Sequence, residues 1–113
     1  MKLTRKQTIH KNKFGADLRV YKINRKEAGL AYIEVKKGHF EEFMNRKSTF
    51  IYYVLKGSGT FYLNGKANKA KATDVIVIPP KTKVYYLGHM KLILVTVPAW
   101  QAKNEVHIRN INE

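Results

Sequence analysis

Four histidines, eight carboxylates and seven tyrosines are the side chains of this 113-residue chain that could move a proton. Of these, only imidazole titrates near neutrality without help, and an unperturbed phenol, titrating near ~10, is poorly matched to neutral pH. The histidines His10, His39, His89 and His107 stand far apart in the sequence. They read as ordinary surface or turn residues, placed in an arm, loops and a tail. No Ser-His-acid set, nucleophile elbow, phosphate-cradling glycine loop or zinc motif is present. Cysteine is absent, which excludes a disulfide framework and a thiolate zinc site. Asp74 reads as a turn residue bonding nearby backbone amides rather than as a catalytic acid. An enzyme is not indicated on these grounds.

Charge narrows the partners. Twenty-two Lys and Arg face eight Asp and Glu, a net of +14, and residues 1–37 alone carry +8. Such a balance attracts nucleic acid, anionic headgroups or phosphorylated small molecules. The lysines are scattered, so the plain reading is a solvated surface. Nucleic acid is not favoured, because neither a reading helix nor an aromatic RNA-binding signature accompanies the charge. The basic N-terminus is followed by no apolar run and does not read as a signal peptide, and no stretch is long and apolar enough for a membrane span. A cytoplasmic protein with no membrane contact is expected.

The elements that must position any site are strands. Leu18 to Ile23, Leu30 to Val35, Phe50 to Leu55, Thr60 to Leu63, Val75 to Ile78, Lys83 to Leu87 and Leu92 to Val97 are short runs rich in β-branched and aromatic residues. Gly57-Ser58-Gly59 and Pro79-Pro80 punctuate them, and Asn64-Gly65 fits a type I′ hairpin turn. Lys37 to Asn45 is read as a turn of helix. Residues 1 to about 15 and 101 to 113 are polar and read as an arm and a tail. Many short, evenly spaced strands predict an all-β sandwich or closed barrel, one domain over 1–113 with its core at about 16–100.

Gly38 to Gly57 and Thr73 to Gly88 resemble the two motifs of the cupin superfamily. The first motif runs Gly, five residues, His-x-His, three or four residues, Glu, six residues, Gly. Gly38 and Gly57 end it at the right spacing, and Tyr53-Val54-Leu55-Lys56-Gly57 is similar to the family's Tyr-Val-Leu-x-Gly. In the second, Thr73-Asp74 stands for Gly-Asp, Pro79 matches, and Lys81 replaces a Gly. The resemblance implies a cupin-type jelly-roll barrel, RmlC-like, with a short N-terminal arm and C-terminal tail.

It also implies what is missing. Cupins that bind a divalent metal use three His and one Glu, whose lone pairs suit such an ion. The same spacing places Met44, Arg46, Phe50 and Val84 at those positions, and shifting the frame by one residue gives Phe43 and Asn45. None of these sets is a ligand set, so no metal and no cofactor is expected. Elemental analysis of purified, chelator-treated protein should find no stoichiometric iron, manganese, zinc or nickel; one metal retained per chain would overturn this.

Parity then assigns the lumen. Residues two apart on a strand share a face, so an inward Phe50 brings Tyr52 and Val54 inward, and an inward Val84 brings Tyr86. Met44, Phe50, Tyr52, Val84 and Tyr86 would make an apolar, aromatic lumen, with Arg46 at its mouth anchoring a carboxylate or phosphate. Ile51, Tyr53 and Leu55 face outward, and a homodimer through that face is expected. The function expected is a metal-free cupin binding a small anionic or sugar-like ligand in a non-catalytic sensor or accessory role. Two alternatives stand beside it. One is a metal-independent isomerase or epimerase of a sugar phosphate or nucleotide sugar. The other is a dimeric interaction module whose basic surface meets nucleic acid or an acidic partner.

Overall fold

Apolar and β-branched residues at every second position commit two stretches to unusually long strands. A computed structural model describes residues 1–112. In it β5 (Thr49–Leu63) and β8 (Val84–Val97) pair antiparallel along nearly their whole length, from Thr49 opposite Val97 to Leu63 opposite Val84. Each absorbs two of the runs read as separate strands. A break would be expected at Gly57-Ser58-Gly59 and at Gly88. Instead these glycines let the two strands cross while staying paired. Gly57 has φ +87°, and a Cβ there would lie 2.0 Å from the His89 carbonyl oxygen.

Shorter strands flank this spine. On one side β5 pairs with β6 (Lys66–Lys71) and β7 (Val75–Ile78); on the other β8 pairs with β3 (Gly29–Val35) and β4 (Gly38–Asn45). From β3 the sheet continues to β2 (Ala16–Tyr21) and β1 (Thr8–Lys13), and from β4 to β9 (Glu105–Asn110). The sheet curls until its ends meet: the Lys13 ammonium on β1 lies 4.0 Å from the Glu105 carboxylate on β9. Asn64 and Gly65, both at positive φ, close the β5–β6 hairpin as a type I′ turn requires. Asp74 accepts the Lys71 amide at 2.9 Å, the turn role read for it.

Three expectations are corrected. Lys37 to Asn45 is not helical, because Gly38–Asn45 pairs with β8 and β9 as strand β4. Thr8–Lys13 and Glu105–Asn110, read within a polar arm and tail, are strands β1 and β9. As end strands they hold a ladder on one side only, so they need no continuous apolar pattern.

The core lies inside the curl. Phe61, Tyr52, Tyr86, Val54, Val84 and Leu92 are each at most 1% exposed. The Phe61 ring stacks on Tyr86 at 4.8 Å and tilts against Tyr52 at 5.1 Å. No helix among the described residues is long and apolar enough to cross a membrane.

Candidate functional site

Strand parity does bring an aromatic group to one place. Phe50 and Tyr52 on β5 and Tyr86 on β8 line a cavity of about 190 Å³ inside the curl. Val84 is buried beyond it, against a void of about 10 Å³. Met44 and Arg46 are not there. Met44 is half-buried opposite Val106 of β9, and Arg46 is exposed in the β4–β5 turn, its amide bonding the Asn104 carbonyl at 2.8 Å. The neighbouring Glu41 and Glu42 are engaged by His107 at 2.7 Å and Arg109 at 2.9 Å.

The reason is the frame of β4, in which His39, Phe43 and Asn45 share one face. Its pairing with β8 shifts register between His39 and Phe43, and Glu41, Glu42 and Phe43 are buried in succession. That shift is of two residues, since His39 pairs with Tyr86 and Phe43 with Val84. The alternation of faces is therefore kept, and Phe43 stays on the cavity face with His39. Phe43 and Asn45 thus face the core, the frame one residue away from Met44 and Arg46.

The same strand turns His39 inward, against its reading as a surface or turn residue. His39 is 6% exposed and lines the cavity. Its ring stacks on Tyr86 at 5.3 Å and meets Phe43 edge-on at 5.1 Å. Nδ1 lies 3.2 Å from the Glu41 carbonyl oxygen. A carbonyl only accepts, so Nδ1 carries the proton and Nε2 keeps its lone pair. Burial lowers the pKa from 6.5 to about 4, outweighing the nearby Glu41 carboxylate, and Lys13 lowers it further. At neutral pH His39 is an uncharged base.

Burial acts oppositely on the phenols. Tyr52 and Tyr86, with rings 5.3 Å apart, are both pushed above 10 and stay protonated. With their protons held, both phenols are able to donate hydrogen bonds.

The mouth is built by the chain's ends. Lys11 and Lys13 of β1 share a face and line the cavity with Trp100 and Glu105. The Trp100 indole N–H donates to the Glu105 carboxylate, whose pKa burial raises. Sequence reasoning missed His39, Lys11, Lys13, Trp100 and Glu105. Two signals were usable: the alternation His39, Glu41, Phe43, and the chain's single Trp.

The sign of the His39 shift makes a prediction. Unfolded, the imidazole regains 6.5, so between 6.5 and about 4 the unfolded chain binds more protons. Stability should therefore fall as pH drops through that window, by up to about 3 kcal/mol from this group. Urea midpoints at pH 7 and 4.5 measure it. His39→Gln should flatten the difference, since Glu105 and the other acids are common to both proteins; an unchanged slope would overturn the assignment.

A long-stranded curled sheet enclosing a small cavity is the cupin architecture, and the chain belongs to the cupin family. In particular it is 41% identical to Pac13, described as a unique nucleoside dehydratase, with a TM-score of 0.97 over 99% of this chain and 93% of that one. Three structures of the Streptomyces protein with uridine carry single substitutions, one of His by Gln and two of Tyr by Phe, at 40% identity. The three substituted positions are 13 and 34 residues apart, the separations of His39, Tyr52 and Tyr86 here. An RmlC-like cupin from Shewanella frigidimarina shares the fold at 19% identity and a TM-score of 0.71, over 85% of this chain and 88% of that one. No protein-family profile matches the sequence, and neither does any curated protein.

Proposed function

We propose that this chain binds a nucleoside in its cavity and eliminates water from it. The observation that carries the reading is the uncharged His39 facing the same small cavity as Tyr52 and Tyr86, at the spacing of the positions substituted in the uridine complexes. Elimination needs a base for a C–H and a proton for the departing hydroxyl. The lone pair on His39 Nε2 takes the C–H proton, the C–H electrons form the C=C bond, and the C–O bond breaks. The phenols, held protonated, orient the sugar oxygens by donating hydrogen bonds. An imidazolium whose pKa is about 4 is a good acid, so His39 returns that same proton to the leaving oxygen. Substrate goes to alkene plus water and the enzyme ends as it began.

Calorimetry with uridine, followed by mass spectrometry of a nucleoside panel for loss of one water, tests this. Binding without loss of water would favour the non-catalytic ligand-binding role instead. Absence of nucleoside binding would sink both.

We also propose a two-fold dimer. Tyr53, Leu55, Val75, Val77 and Val97 are exposed on the outer face of β5, β7 and β8, between 39% and 56%. Covering about 800 Å² per partner would suit a stable pair. Light scattering should give twice the chain mass at micromolar concentration; a monomer mass would contradict it.

A further inference from the structure

Positive charge at the mouth of the cavity exceeds what the protein balances. The Lys11 and Lys13 ammoniums lie 5.1 and 5.3 Å from the centre of one indole ring, that of Trp100. The acidic group among them is Glu105, 4.0 Å from Lys13. That carboxylate is itself partly buried, where burial raises its pKa, and it accepts the Trp100 indole N–H. Arg25 also lines the cavity, facing Glu27 across 3.8 Å at the exposed rim. Lys11 has no acidic partner among the described residues. Both lysines are half-buried on the concave face, where desolvation makes unbalanced charge costly. Two like charges gathered at one aromatic ring, beside a cavity, are the arrangement an anion would relieve.

We infer that the nucleoside taken by this site carries a phosphate, seated between Lys11 and Lys13 against Trp100, with base and sugar inside among Phe50, Tyr52 and Tyr86. The inference rests on the nucleoside reading above and narrows it to a nucleotide. The lysines and the base belong to one site, because Lys11, Lys13 and His39 line the same cavity. A phosphate on the sugar would thus sit beside the reacting ring. The rival account is that inward lysines on β1, an end strand, merely discourage edge-to-edge pairing.

Calorimetry with uridine, uridine 5′-monophosphate and inorganic phosphate, at low and high salt, decides between them. The monophosphate should bind about tenfold or more tightly than uridine. Salt should weaken the monophosphate and spare uridine, and phosphate alone should bind weakly at the same site, in competition with the monophosphate. In Lys11→Met the ratio of monophosphate to uridine affinity should fall towards one, and in Lys11→Met/Lys13→Met it should reach about one, with the preference gone. Uridine binding as tightly as its monophosphate would overturn the inference and leave the nucleoside reading standing. A preference that survives the double substitution would place the phosphate elsewhere and overturn it too. Binding of neither would remove both readings.

Discussion

His39→Gln is expected to lower kcat for water elimination by about 10²–10⁴-fold, the usual contribution of a positioned proton-transfer group. Glutamine keeps much of the shape and a hydrogen bond to the Glu41 carbonyl but has no lone pair able to take a proton. The loss should therefore appear in kcat rather than in nucleoside affinity. In the wild type the acid limb of the kcat profile should follow the imidazole at about 4. Activity should thus persist through pH 5–6, where an ordinary histidine would already be protonated. A variant retaining near wild-type turnover, or an acid limb near 6.5, would show that another group is the base.

Phe61→Ala is expected to cost about 3–5 kcal/mol of stability, the range for removing a fully buried aromatic side chain. Phe61 is 0% exposed and lies against both Tyr52 and Tyr86. Its loss leaves a cavity that the surrounding strands cannot readily close, because β5 and β8 are locked together on either side of it. Urea unfolding should give a large fall in midpoint with an unchanged slope. Lys66→Ala, exposed at the β5–β6 turn, should change stability by no more than about 0.5 kcal/mol. A Phe61→Ala protein within 1 kcal/mol of wild type would mean that the core repacks and that the phenols are not held by Phe61.

What could be read in the sequence and what could not divide along physical lines. Phe50, Tyr52 and Val54 alternate within an apolar run, so their burial followed from the two-residue period alone. Asn64-Gly65 carried its turn type in its own backbone preferences. β4 was misplaced because the motif spacing set Met44 and Arg46 inward, one residue out of step with His39, Phe43 and Asn45, which line the interior. Arg46 lies just past the end of β4, exposed in the turn. Lys11, Lys13 and Glu105 were hidden for another reason: polar end strands look like solvated chain until the sheet closes on them. The half of the site built from aromatic residues was legible, and the half built from charge was not.

The meeting of β1 with β9 across the cavity also bears on the order in which the molecule forms. Leu63 and Val84 are joined by a connection short enough for β5 and β8 to zip from that end. Lys13 and Glu105 lie at nearly opposite ends of the sequence and approach only after the curl between them is in place. On that account the mouth should be among the last parts to assemble and the first to fray, which native-state hydrogen exchange of β1 and β9 would measure. A ligand held there draws on the free energy of that final closure, so occupancy ties the two termini together and is read out as protection of both.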